Sequence, residues 1–140
     1  MNYRWIIFLG AILAAMGVAS GAAGAHQLES RVEKGLMARK QLEQYETAVR
    51  YQIYHALGLI LIGVLAQANP SRWLVAAAIA MILGILLFSG CLYGYVASEV
   101  MQRPQKFFVH IVPVGGVLFI VSWVLLALGA LRRHDPSRAS

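Results

Sequence analysis

Long apolar stretches alternate with short polar ones along the chain. The segments without Asp, Glu, Lys or Arg are residues 5–25, 51–68, 73–98 and 107–131. Each reaches or approaches the ~20 residues that an α-helix needs to cross about 30 Å of hydrocarbon. A helix of a water-soluble bundle would carry a polar stripe, whereas these segments are apolar nearly all round. The pattern predicts an all-α integral membrane four-helix bundle, a single membrane domain with a polar tail at residues 132–140.

A different pattern occupies residues 27–50, between the first two predicted spans. Leu28, Val32 and Leu36 recur every four residues, and charged side chains fill the positions between them. Such spacing is typical of an amphipathic helix, and Gly35 interrupts it. We expect this interfacial segment to lie along the membrane surface, and we expect its second half to continue directly into the second span.

Composition and charge agree with a membrane protein. Only 13% of the 140 residues are charged, against about 25% in a typical soluble domain. The net charge of +6 would suggest nucleic acid as a partner of a soluble protein. Here Arg and Lys lie between the spans, where they meet lipid headgroups and set the orientation. We therefore predict the lipid bilayer and no nucleic acid as a partner, with both termini in the cytoplasm.

The first apolar segment has two interpretations, a cleaved secretion signal or a retained membrane helix. Arg4 precedes it, and the small residues at positions 23–25 have the form of a cleavage site. However, the apolar run over residues 5–25 is longer than the ~7–15 residues of a signal peptide. Gly17 and Gly21 also give it a small-xxx-small face, which suits packing against another helix. Both features favour a retained helix.

Glycines recur on the predicted spans at spacings that let two helices approach closely. The predicted helix-packing positions are Gly17, Gly21, Gly24, Gly90, Gly94, Gly115 and Gly116. Pro113 removes a backbone donor just before the Gly115–Gly116 pair, so we expect a kink or a wide turn in the fourth span.

Three histidines are predicted to lie on the side of the membrane that carries residues 27–50. His26 follows the first span, and His55 and His110 each lie about one turn inside a span. Ionisable groups at membrane depth are functional candidates by default. The candidate polar or ligand-binding cluster consists of His26, His55, Gln52, Tyr51, Glu46 and His110.

Two interpretations of these histidines stay open. Imidazoles can bind haem or a transition metal, or relay protons. Alternatively, they bond to backbone carbonyls or to Tyr and Glu side chains, and so hold the polar segment to the helix ends. The sequence has no HExxH, CxxC or CxxCH motif. We therefore predict no cofactor, with haem or a metal at His26 and His55 as the alternative.

Four short motifs occur in order along the chain: Gly21–His26, Tyr51–Leu57, Leu87–Tyr93 and Pro113–Gly116. Together they resemble the YgdD/YwdK-like family of small four-helix bacterial membrane proteins, a family of unknown function. The resemblance covers roughly residues 4–131. It implies that the first helix is retained and that the protein lies in the bacterial plasma membrane, which is the inner membrane where two are present. His110 lies outside these motifs, so the resemblance favours a His26/His55 pair.

The function predicted from these features is that of a non-enzymatic accessory or scaffold unit. It would associate laterally in the membrane with a protein partner or with a second copy of itself. The glycine faces support this prediction, as does the lack of a nucleophile–base pair or a carboxylate dyad. A haem- or metal-binding protein is the alternative. A small-molecule or lipid permease is a third, which the lack of polar lining in the spans disfavours.

Overall fold

The described chain, residues 2–131 of a computed structural model, is built from helices and their connections. The elements are α1 (Arg4–Ala23), a first π-helical turn (Gly24–Leu28), α2 (Glu29–Glu33), α3 (Arg39–Ala68), α4 (Arg72–Ile85), a second π-helical turn (Leu86–Gly90), α5 (Cys91–Val100) and α6 (Phe107–Leu131). The predicted tail at residues 132–140 lies outside the described residues.

Four continuous helices have the length and apolar composition of membrane spans. They are Arg4–Glu33, Arg39–Ala68, Arg72–Val100 and Phe107–Leu131. The predicted all-α fold with four spans is therefore confirmed. A helix of 30 residues is about 45 Å long, which exceeds the ~30 Å of hydrocarbon in a bilayer. The charged ends of α2, α3 and α5 consequently project beyond the hydrocarbon on one side, which we call the loop side.

The first span does not end at residue 25, because the chain continues as a helix through the first π-helical turn to Glu33. A π turn spaces its backbone bonds by five residues, which widens the helix locally. Tyr45 of α3 packs at this point: a Cβ at Gly24 would lie 2.6 Å from its ring. The Tyr45 hydroxyl donates to the Ser20 carbonyl at 2.9 Å. The helix breaks only near Gly35, whose φ of +69° suits glycine.

The amphipathic segment forms a second, smaller core on the loop side. Met37, Leu42 and Val96 are buried there, and the partly buried side chains around them are Leu28, Val32, Tyr45, Tyr95 and Val100. The apolar face of the segment therefore packs against the projecting end of α5. The Gln41 amide adds a hydrogen bond to the Glu99 carboxylate at 2.8 Å.

The spans pack as two close pairs, α1 with α3 and α4 with α6, and the pairs are joined through α3 and α4. The main core runs along this junction and includes Ile6, Leu59, Ile62, Leu74, Met81 and Phe119. Lipid tails are as apolar as these side chains, so van der Waals packing and hydrogen bonds have to hold the helices together.

Glycines allow the close contact between α1 and α3. A Cβ at Gly17 would lie 2.6 Å from Cγ1 of Ile53, and one at Gly10 would lie 2.7 Å from Cγ1 of Ile60. A Cβ at Gly21 would lie 3.3 Å from Cγ1 of Val49. The glycine face of the first span is thus covered by a helix of the same chain.

A second close contact joins α6 to the second π-helical turn and to α5, which follows it. A Cβ at Gly115 would lie 2.5 Å from the backbone nitrogen of Phe88, and one at Gly94 would lie 3.2 Å from the Phe108 ring. Gly116 has only ordinary contacts with Phe88, at 3.8 Å, and Gly90 meets nothing nearer than the carbonyl of Ile85 at 3.9 Å.

Of the two alternatives expected at Pro113, the wide turn is absent from the fourth span, and the kink stays a prediction. Helix α6 is continuous from Phe107 to Leu131, and the wide turn lies in the helix that faces it, at Leu86–Gly90. This π turn carries Phe88, whose backbone lies against Gly115. Local residue types alone did not reveal which of the two facing helices would widen.

The contacts of Gly115 lead to a prediction about stability. Gly115→Ala should destabilise the protein by roughly 1–3 kcal/mol, since its methyl group would press on the backbone of Phe88, which has little room to move. Gly116→Ala is the matched control, and it should be neutral or stabilising by up to about 1 kcal/mol because alanine favours helix. Thermal unfolding in mild detergent measures both, and equal melting temperatures would contradict this account of the α6 contact.

Candidate functional site

His55 lies at the centre of a cluster of aromatic rings between α3, the second π-helical turn and α6. We call Tyr51, His55, Phe88, Phe119 and Trp123 the aromatic cluster. The His55 ring is 6% exposed and stacks on Phe119 with centroids 3.4 Å apart and planes at 12°. Tyr51 stacks on the Phe88 ring at 4.6 Å and on His55 at 5.7 Å.

A backbone carbonyl lies within hydrogen-bonding distance of one ring nitrogen of His55. Its Nδ1 lies 2.7 Å from the carbonyl oxygen of Tyr51, one helical turn earlier. A carbonyl oxygen only accepts, so Nδ1 is the donor of this bond, and in the neutral tautomer that makes it, Nε2 has a free lone pair. The buried donor is therefore satisfied within α3, which avoids the cost of an unpaired polar group.

Tyr51 and Gln52, which lie four and three residues before His55 on α3, face different neighbours. Tyr51 contacts the His55 ring, as described above. Gln52 faces α1 and is 4% exposed, and its Nε2 donates to the carbonyl oxygen of Leu13 at 2.8 Å. Gln52 and Tyr45 thus each attach α3 to a carbonyl of α1, which gives Gln52 a structural contact.

The other members of the predicted cluster lie at the surface. His26 is exposed within the first π-helical turn, and His110 is exposed with Nδ1 3.1 Å from the carbonyl oxygen of Lys106. Glu46 is exposed and lines an open pocket of about 230 Å³ together with Glu29 and Arg50. These side chains do not converge on His55.

The register between α1 and α3 separates His26 from His55. Gly17 faces Ile53 and Gly24 faces Tyr45, so His26 lies level with the part of α3 just before Tyr45. His55 is about ten residues farther along α3, which corresponds to roughly 15 Å. Two ligands of one metal ion each lie about 2 Å from it, so the structure does not bring His26 and His55 together. Residues 2–131 also contain no group of three His, Cys, Asp or Glu side chains suited to a metal.

Three aromatic neighbours of His55 were not singled out as site residues by sequence reasoning. Phe88, Phe119 and Trp123 lie in segments that are apolar nearly all round, so no periodic signal distinguishes the face that meets α3. Ser122 was missed for the same reason, although its buried hydroxyl donates to the Ala77 carbonyl at 2.7 Å and joins α6 to α4.

These features define a class: a small integral membrane protein with four spans, a polar loop side and an aromatic cluster within the membrane domain. The chain belongs to the family described as "Protein of unknown function (DUF423)", which it matches over residues 20–116. This agrees with the resemblance seen in the sequence motifs.

Several named relatives are similar along nearly their whole length. The UPF0382 membrane protein YwdK of Bacillus subtilis is 37% identical over 90% of this chain and 95% of its own length. A UPF0382 membrane protein of Staphylococcus epidermidis is 37% identical over 90% and 94%. The UPF0382 inner membrane protein YgdD of Escherichia coli is 32% identical over 94% and 93%. No solved structure matches the chain.

The spans and the relatives together give the location. The protein is a multi-pass protein of the bacterial plasma membrane, or inner membrane where there are two. The cytoplasmic position of both termini stays a prediction from the distribution of Arg and Lys.

The burial of His55 predicts that the three described histidines differ in their effect on stability. His55→Ala should destabilise the protein by about 2 kcal/mol or more, since it empties a buried, stacked position. His26→Ala and His110→Ala should each stay within about 0.5 kcal/mol of the unsubstituted protein, because both side chains are exposed. Unfolding in mild detergent gives all three values.

The same preparations test the cofactor alternative through their metal and haem content. A stoichiometric haem or metal ion, lost from His55→Ala and His26→Ala alike, would contradict the separation of the two histidines and restore them as a ligand pair.

Proposed function

We propose that the protein is a non-enzymatic accessory or scaffold unit of the bacterial membrane, and that α1 docks laterally on another transmembrane helix. The observation that supports this proposal is a stripe of exposed alanines along α1. The stripe consists of Ala11, Ala15, Ala19 and Ala22. Their spacing of three or four residues places them on one side of the helix.

The alanine stripe lies on the side of α1 that faces away from α3. Gly10, Gly17 and Gly21 mark the opposite side, where α3 packs. Small side chains at i and i+4 let a second helix approach closely, and such faces are enriched at helix contacts in membranes. Larger exposed residues flank the stripe, among them Phe8, Ile12 and Val18, so a helix docked there would lie in a shallow groove.

In the sequence, the glycine face of the first span suggested lateral association with another protein. In the structure, these glycines instead contact a helix of the same chain. Gly17 and Gly21 lie against Ile53 and Val49 of the same chain. Bulky residues at these positions would disturb the α1–α3 pair itself, so they cannot report on an external partner. The alanine stripe, rather than the glycine face, is therefore the surface of α1 that we propose for association.

The two alternatives have less support from the described residues. Haem or metal binding by His26 and His55 requires neighbouring imidazoles, and the register of α1 and α3 keeps them apart. A permease requires a polar path through the spans. Two of the buried polar side chains, Gln52 and Ser122, instead donate to backbone carbonyls at helix contacts.

Substitutions within the alanine stripe test the proposal. The double variant Ala15→Leu/Ala19→Leu should weaken association with a partner or a second copy by about tenfold, or about 1.4 kcal/mol, because the larger side chains prevent close approach of the helices. Cross-linking in intact membranes, followed by capture of the tagged protein, measures the association.

The matched controls are Ala76→Leu and Ala127→Leu, which change exposed alanines on α4 and α6. Both should leave the captured material unchanged. Two differently tagged copies distinguish self-association from a separate partner. Equal capture from the stripe variant and the controls would remove the support for docking on α1.

A further inference from the structure

A groove of about 390 Å³ opens on the surface between the first half of α3, the second π-helical turn with α5, and α6. Its α3 wall carries the polar side chains Lys40, Glu43, Gln44 and Thr47. The opposite walls are apolar and consist of Phe88, Leu92 and Val112. The groove therefore has a polar half and an apolar half along one surface.

The position of the groove along the spans matches the boundary between headgroups and hydrocarbon. Its polar wall lies just before Arg50, the last charged residue of α3, and extends over roughly 10 Å of helix. Phe88 lies 16 residues after Arg72, the first residue of the third span. It is therefore about 24 Å from the end of this span that lies opposite the loop side. A hydrocarbon layer of ~30 Å that starts near Arg72 would place Phe88 just inside it.

The polar wall carries one charge of each sign. Lys40 and Glu43 are exposed and lie three residues apart. Neither takes part in the ion pair found between described residues, which joins Arg39 to Glu29. The Thr47 hydroxyl is already occupied, since it donates to the Glu43 carbonyl at 2.8 Å and accepts from Arg50 at 3.2 Å. The free charges of this wall are thus an ammonium group and a carboxylate.

We infer that this groove binds a zwitterionic phospholipid whose headgroup ends in a primary ammonium, as in phosphatidylethanolamine. Lys40 donates to the lipid phosphate, and the Glu43 carboxylate accepts from the lipid ammonium. Both are charge-assisted hydrogen bonds. An acyl chain lies against Phe88, Leu92 and Val112.

Charge complementarity selects this headgroup among the common ones. In an anionic headgroup such as phosphatidylglycerol, the phosphate still accepts from Lys40, but the terminal glycerol is uncharged and supplies no cation for the Glu43 carboxylate. A choline headgroup has the right charges, but its quaternary nitrogen has no hydrogen to donate to Glu43. The inference concerns a lipid site on α3 and α6, so it does not depend on docking at the alanine stripe of α1.

Short-chain lipids provide a direct test with the full chain in mild detergent. Phosphatidylethanolamine, phosphatidylcholine and phosphatidylglycerol with the same acyl chains are titrated separately, and bound lipid is counted by native mass spectrometry. The unsubstituted protein should bind phosphatidylethanolamine roughly fivefold more tightly than the other two, the scale of an exposed ion pair.

Two charge-removing variants assign the contacts. Lys40→Gln should weaken the binding of all three lipids, because each contains the phosphate. Glu43→Gln should abolish the preference for phosphatidylethanolamine over phosphatidylcholine. The matched controls Glu33→Gln and Lys34→Gln remove exposed charges outside the groove and should behave as the unsubstituted protein does. Equal binding of the three lipids, a preference for phosphatidylglycerol, or the same loss in the controls would each overturn the inference.

Discussion

Close contact between helix backbones at glycine is the interaction on which this fold depends. Within a bilayer the hydrophobic effect gives little force between helices, so packing has to supply the attraction. Gly17 and Gly63 allow α1 and α3 to approach, and Gly84 and Gly115 do the same for α6 and the helix before it. These contacts lie within the two helix pairs and at the wide turn at Leu86–Gly90.

Polar side chains stabilise the same pairs in a second way. Gln52, Tyr45 and Ser122 each donate to a backbone carbonyl of a neighbouring helix. Such bonds avoid an unsatisfied polar group in hydrocarbon, and each contributes about 0.6 kcal/mol on average in membrane proteins. His55 differs because its donor is satisfied within its own helix, so the rest of its ring is held by stacking on aromatic neighbours.

The sequence predicted the four spans because an absence of charge over about 20 residues is a strong signal. It also predicted the interruption at Gly35, which the positive φ there explains. It did not predict that the first helix continues beyond residue 25 through the π turn at Gly24–Leu28, where Tyr45 from a distant segment packs. The neighbours of His55 could not be predicted for a related reason. In α6 every face is apolar, so the sequence pattern does not show which face contacts α3.

The extended first helix gives the protein a mechanical property. From Arg4 to Glu33 it is one rod of 30 residues, with the alanine stripe on its membrane part and the second core around its far end. A tilt of about 10° around its midpoint moves each end by roughly 4 Å. A helix that displaces α1 within the bilayer therefore also displaces the far end of this helix against the Met37, Leu42 and Val96 core, which lies outside the bilayer.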